Sequence, residues 1–168
     1  MNPNHASVSL ITSIDDLWVR TAKASDIDDI HGLIAASRDH LTQHDDYHDL
    51  VAASRSDIAA GLALDDQQQF VMRHKDTVIG TVSLIQYQPT VFGLGYWIGA
   101  AFVGKGFTGA AVDTVVQHAI SNRKATEVWA GIKHVNTPSI RLVTRLGFKL
   151  AREQDTHLSY CLTVETNE

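Results

Sequence analysis

From Leu17 to Thr21 apolar and polar residues alternate, and the run leads into Ser25, Asp26, Ile27 and Asp28. A period of two marks a strand with one buried face; Ser and Asp followed by further acid mark a helix start, where side-chain oxygens accept from unpaired amides. Ile27, Ile30, Leu33 and Ile34 recur at helical spacing, so a first helix is expected to reach about Arg38 with one apolar stripe. Between Asp39 and Asp49 the periodicity is lost among His40, His44, Asp45, Asp46, Tyr47 and His48. This stretch reads as a loop before a second helix near Ser54 to Leu64.

Three β-rich runs follow, Gln69 to Arg73, Val78 to Tyr87 and Val91 to Ile98, joined by His74-Lys75-Asp76 and Gln88-Pro89-Thr90. Links this short imply antiparallel neighbours. Beyond a cluster of glycines, Ala111, Val112, Val115, Val116, Ala119 and Ile120 predict a helix packed by one face on the sheet. Thr126 to Lys133 reads as a strand. Asn136-Thr137-Pro138-Ser139 opens another helix, with Pro138 near its first turn and Gly147 at its close. Phe148 to Arg152 and Leu158 to Val164 complete the pattern as strands. The expectation is a mixed α/β domain over residues 17 to 168, preceded by an N-terminal extension, 1 to 16.

At 168 residues, 44% hydrophobic and 20% charged, the chain has the composition of a globular domain. Its formal charge of -5 argues against a nucleic-acid partner, which needs a basic surface. Cys161 is the lone cysteine, so no internal disulfide or paired-Cys metal site can form, and it is expected as a small buried residue in the last strand. No basic start followed by an apolar run opens the sequence, and no stretch of about 18 apolar residues occurs; no membrane contact and a cytoplasmic location are expected. The His and Asp residues between 39 and 49 raise a metal site, but their spacing matches no ligand set; a solvated surface and no metal are expected.

Gly104, Lys105, Gly106, Phe107, Thr108 and Gly109 lie between a predicted strand and a predicted helix N-terminus. Unpaired amides and the helix dipole favour an anion there, and glycine lets a phosphate come close. Gly104, Gly106 and Gly109 match the dinucleotide spacing, but the next strand ends in Lys133-His134 where that fold wants an acid. A P-loop would need a longer gap and a terminal Gly-Lys-Ser or Gly-Lys-Thr. A plain turn is the third reading.

A wider set of residues separates these readings. Gly95-Tyr96-Trp97-Ile98, Val103-Gly104-Lys105-Gly106-Phe107-Thr108, Asn136-Thr137-Pro138-Ser139 and Leu146-Gly147-Phe148 follow one another in an order and spacing that resemble the GNAT acetyltransferases. Within them the chain is similar to the group that acetylates the N-terminal alanine or serine of ribosomal proteins. The architecture is covered from about 17 to 164, and the specific motifs from 93 to 148. The resemblance implies a GNAT fold: a mixed, mostly antiparallel sheet whose central parallel strands splay, with flanking helices. It implies that acetyl-CoA lies in the splay, its pantetheine between Trp97-Ile98 and the strand ending at Lys133, and its pyrophosphate over the amides from Gly104 to Gly109.

Residue by residue, the same resemblance gives Val103, Gly104, Lys105, Gly106, Phe107, Thr108 and Gly109 to the phosphate turn. Asn136 falls to the cofactor or an adjacent backbone group, and Arg145 to the CoA phosphates. Ser139 matches a serine beside the sulfur, which could protonate the departing thiolate, although Ser at a helix start also commonly caps it. Val103 stands where the family has Gln or Arg, Thr108 where it has Gly or Ala, and Gly99-Ala100-Ala101 where relatives carry an acid, so no carboxylate base carries over. The N–H near Ile98 is the candidate for polarising the thioester, and His134 for accepting the proton, since imidazole titrates in the right range. An α-amine with a pKa of about 8 is partly neutral at pH 7, which suits an N-terminal acceptor. Alternative acceptors are a small amine, an amino acid or an antibiotic; a non-catalytic CoA-binding module is the other class. Residues 33 to 56 and the final strand pair are expected to form the acceptor wall, with His44, Tyr47 and His48 as its candidates, and a homodimer fits the resemblance.

Overall fold

In a computed structural model, residues 2–165 are described; residue 1 and residues 166–168 of the two expected spans lie outside them. Among the described residues eight strands form one sheet: β1 (Ser9–Ile11), β2 (Leu17–Thr21), β3 (Gln67–His74), β4 (Thr77–Gln88), β5 (Val91–Ile98), β6 (Glu127–Lys133), β7 (Lys149–Glu153) and β8 (His157–Thr163). Their order is β1-β2-β3-β4-β5-β6-β8-β7, and every neighbouring pair is antiparallel except β5 and β6. The mixed, mostly antiparallel sheet expected from the sequence is therefore present.

Helix α1 (Ile27–Ala36) begins after a tight turn in which Asp26, 2% exposed, accepts two 2.7 Å bonds from Arg20. The next stretch is not the loop that lost periodicity suggested. It holds two short helices, α2 (Arg38–Thr42) and α3 (His48–Val51), each anchored by tertiary packing of Leu41, Leu50 and Val51 rather than by a stripe long enough to read. Helix α4 (Arg55–Leu62) starts at a capping box in which Ser54 and Asp57 exchange side-chain and backbone bonds. The long α5 (Phe107–Arg123) and the short α6 (Thr137–Arg145) follow.

These helices cover the sheet from both sides. One face packs Phe70, Met72, Val82, Leu84, Phe92 and their neighbours against Val112, Val115 and Val116 of α5 and Val143 of α6. The other packs Val71, Val78 and Trp97 against Ile30, Ile34 and Leu41. Double coverage explains why β3, β4 and β5 read as nearly continuous apolar runs.

The N-terminal residues are part of this body. β1 pairs with β2, and Arg123 at the end of α5 donates 2.8 Å bonds to Asn4 and to the buried Gln68 while lying over the Phe92 ring. Cys161 is only half-buried: alternation along β8 turns Tyr160 and Leu162 to the core and Cys161 to the face that carries no helix.

Candidate active site

Parallel pairing between β5 and β6 lasts for three residue pairs, Val91–Glu127, Phe92–Val128 and Gly93–Trp129. Past Gly93 the strands diverge, while β5 stays paired to β4 as far as Gly80–Ile98. The Gly99 N–H donates to Ile79 at 2.7 Å, so Gly99 faces β4. By the alternation of an antiparallel ladder, Tyr96 and Ile98 turn their N–H and C=O groups the other way, into the gap. A gap lined by backbone donors and acceptors calls for a guest that can pair with them.

Two cavities occupy the splay. The larger, of about 220 Å³, is lined by Trp97 and Ile98, by Val103, Gly104 and Thr108, by Asn136, Pro138, Ser139 and Leu142, and by His40, Leu41, Gln43 and His44 from α2 and its C-terminal turn. The smaller, of about 30 Å³, lies against Asp46, Gly95 and Gly131. Tyr47, Tyr96, Asn136 and Ser139 line both.

The glycine turn meets the larger cavity at the head of α5. Gly104 and Gly106 have φ of +77° and +79°, a left-handed conformation that glycine adopts without steric cost. The first intrahelical bond runs from Ala110 N–H to Gly106, so the amides of Phe107, Thr108 and Gly109 have no helical acceptor. Phe107 contributes through its backbone only, since its ring is buried 4.6 Å from that of His74. Val103 is 45% exposed at the cavity rim; Lys105 is exposed and does not line it.

At α6 the capping side chain is that of Asn136, not Ser139. Asn136 is the N-cap, its side chain accepting from Ser139 N–H at 3.3 Å, and the Ser139 hydroxyl is free of that duty. It accepts instead from the Tyr96 hydroxyl at 3.1 Å, which leaves its own proton to donate. Burial raises the Tyr96 pKa, partly offset by the bond to Ser139, so the phenol stays protonated and remains the donor.

Tyr47 closes the splay from the other side. Its hydroxyl donates to the Tyr96 carbonyl, supplying the partner that β6 withdraws. Desolvation, then the nearby Asp46 and Tyr96, push its pKa far up, which keeps it a donor. Its φ of +61° is unusual for a bulky residue, and strain of this kind collects at functional sites.

Not every residue expected in the site lines the cavity: besides Lys105, Gly106, Phe107 and Gly109 of the turn, His134 and Arg145 do not. His134 is exposed at the turn after β6, its Nε2 2.6 Å from the Gln154 carbonyl, so that nitrogen carries a proton and donates. Arg145 is exposed in the last turn of α6, the end remote from Asn136, and does not line the cavity. Conversely, His40 and His44 line it; the sequence offered His44 only for the acceptor wall and His40 for no role at the site beyond the rejected metal reading. His40 is held below the ordinary histidine pKa by desolvation and by His44, and is neutral at pH 7. In the sequence they stand as His-x-x-x-His, but α2 ends at Thr42 and it is the turn after it that brings His44 to the cavity, which the spacing alone does not reveal. Of the expected acceptor-wall residues, His44 and Tyr47 reach the cavities, whereas His48 is exposed and 2.8 Å from Asp45.

Comparison with known proteins agrees with this geometry. A sequence profile described as "Acetyltransferase (GNAT) domain" matches residues 16–149. The chain is 30% identical over 145 residues to "Probable N-acetyltransferase YjcK" of Bacillus subtilis, covering 79% of this chain and 80% of that protein. It is also 30% identical over 81 residues to "Uncharacterized N-acetyltransferase p20" of Bacillus licheniformis, spanning 47% of this chain but only 46% of that one. In fold it matches the solved structure of RimL, the ribosomal L7/L12 alpha-N-protein acetyltransferase in complex with coenzyme A, at a TM-score of 0.78 and 16% identity, over 92% of this chain and 98% of that one. With the splay, the glycine turn and the capped helix α6 all inside the matched residues, the chain belongs to the GNAT acetyltransferase family.

Proposed function

We propose that this protein moves the acetyl group of acetyl-CoA to a primary amine, most specifically the α-amine at the N-terminus of a protein or peptide, in the cytoplasm. The observation that carries the reading is the splay: β5 turns the backbone groups of Tyr96 and Ile98 toward a strand that has left. The ribosomal-protein enzyme with the same fold supports the choice of acceptor.

Acetyl-CoA supplies the activated acyl group as a thioester. In this reading the amides of Phe107, Thr108 and Gly109, with Gly104 and Gly106 keeping the backbone open, hold the pyrophosphate at the positive end of α5. Lys105 and Arg145 act only through long-range charge. Val103, Thr108, Trp97 and Asn136 shape the channel. The Ile98 N–H polarises the thioester carbonyl, and Ser139, oriented by Tyr96, donates its proton toward the sulfur. The proton lost by the amine goes to His44, whose ring has no hydrogen-bond partner among the described residues and faces the cavity beside neutral His40. This role replaces the one the sequence suggested for His134.

The test has two steps. Calorimetry should show acetyl-CoA binding, and transfer should be seen to a peptide with a free N-terminus but not to a polyamine or an aminoglycoside; the opposite preference would select the small-amine reading, and binding without turnover a non-catalytic module. Ser139→Ala should lower kcat by about 10- to 100-fold with little change in KM for acetyl-CoA, in keeping with the usual scale of general-acid assistance; an unaltered kcat would remove Ser139 from the chemistry.

A further inference from the structure

The two cavities share the wall made by Tyr47, Tyr96, Asn136 and Ser139, then part. One continues to the glycine turn. The other continues to Asp46 and to Gly131 of β6, an exposed glycine whose missing side chain leaves the way open to the helix-free face of the sheet. Asp46 is the acid on that side: one carboxylate oxygen accepts from Tyr47 N–H at 2.8 Å, and the other has no partner among the described residues.

The face onto which this opening leads is charged in a specific sense. Residues paired across strands share a face, which sets Trp129 beside Cys161, Gly131 beside Ser159 and Lys133 beside His157. Arg152 reaches over the Trp129 ring at 5.4 Å. The mouth at Gly131 is thus flanked along β6 by Lys133, which the exposed Asp45 carboxylate also feels, on one side and by Arg152 with Trp129 on the other, where the cation is stacked on a ring, in a protein whose formal charge is -5. Glu127, the acid on this face of β6, is engaged by the Trp129 indole N–H at 2.9 Å.

Resting on the acetyl-transfer reading above, we infer that the acceptor enters through this second opening, with Asp46 holding its ammonium, and that the preferred acceptor is a peptide N-terminus followed by acidic residues. A carboxylate at the mouth and cations around it match a positive group followed by negative ones. Successive residues of an extended peptide advance about 3.3 Å, so a peptide leaving along β6 toward Trp129 carries its next side chains past Arg152.

Three peptides with the same N-terminal serine test this, continuing with Asp and Glu, with Gly and Ser, or with Lys and Arg. Wild-type protein should show a KM about tenfold lower for the acidic peptide than for the basic one, a difference of about 1.4 kcal/mol. Asp46→Asn keeps the acceptor for Tyr47 N–H and should raise KM for all three peptides about tenfold while KM for acetyl-CoA stays within about twofold. The Lys133→Glu, Arg152→Glu double variant, altered only on the exposed face, should reverse the order of the peptides. Equal KM for the three peptides, or an Asp46→Asn variant with unchanged acceptor KM, overturns this inference and leaves acetyl transfer standing. Binding of acetyl-CoA with transfer to none of the peptides overturns the proposed function and this inference together.

Discussion

At the scale of single residues, Thr108 and Val103 are where this chain departs most from what a phosphate turn wants. Thr108 sits at the second position of α5 and faces the cavity, so its side chain takes up room beside the amides that would meet a pyrophosphate. Thr108→Gly should therefore tighten acetyl-CoA about three- to tenfold by calorimetry, at a cost to helix stability of under about 1 kcal/mol; weaker binding would mean that the hydroxyl itself makes a contact. Tyr47→Phe removes the donor to the Tyr96 carbonyl and leaves that group unpaired in the splay. The loss should be about 1 to 3 kcal/mol in chemical denaturation, and an unchanged midpoint would show that water takes the place of the phenol. Trp97, Gly104, Asn136 and Ser139 line the cavity, and their spacing was legible because backbone geometry ties each to its neighbours; Gly106 and Gly109 do not line it, and their part in holding CoA is proposed. The proton acceptor proposed above was not, because His134 and His44 differ in what surrounds them, and a chain read in one dimension carries no surroundings.

Elements long enough to show a period were read from the sequence to within a few residues, β3 to β6 and α4 to α6 among them. The failures share a cause. Helices α2 and α3 are five and four residues long, too short to nucleate or to display a stripe, and they exist because Leu41, Leu50 and Val51 pack beneath them. Strand β1 has three residues and was grouped with an extension, yet it adds to the sheet edge. The N-terminal segment is held by β1 pairing and by Val8, Leu10 and Ile14 against the core, and also by polar contacts: the Arg123 guanidinium finds oxygens on Asn4 and Gln68, with no salt-bridge partner among the described residues. Asn4→Ala strands one end of that cation and should lower stability by about 1 to 3 kcal/mol. A thermal midpoint equal to wild type would return residues 2 to 16 to the status of a loose extension.

For the whole molecule, the stability-against-pH profile follows from histidine burial. His118 is 7% exposed, its Nε2 has no partner, and desolvation followed by the Arg123 charge lowers its pKa below 6.5. Its neutral form fits the fold. As pH falls below about 6.5 the unfolded chain takes up a proton that folded His118 refuses, so stability is full above that value and declines beneath it. Thermal midpoints should fall from about pH 7 to pH 5, and His118→Gln should flatten part of the slope, with His40 supplying more of it. A profile identical in the variant would contradict the burial of that ring. At the acid extreme Asp26 works the same way: burial pushes its pKa up, but the Arg20 bonds, the Lys23 amide and the charges of Arg20 and Arg73 outweigh it, so its contribution is lost only as pH drops below 3.8.

Strand order, and above all the point where β5 and β6 part, could not be read from periodicity, since both strands stay apolar beyond it; the family resemblance supplied the splay and the pairing locates it after Gly93. Everything proposed for the site depends on CoA entering there. Titration of amide-labelled protein with CoA, followed by NMR, addresses this directly. The largest shifts should fall on the N–H groups of Tyr96, Ile98, Thr108 and Gly109, with β1 and β2 unmoved. Saturation that leaves those four amides in place, or shifts confined to another part of the sheet, would contradict the account.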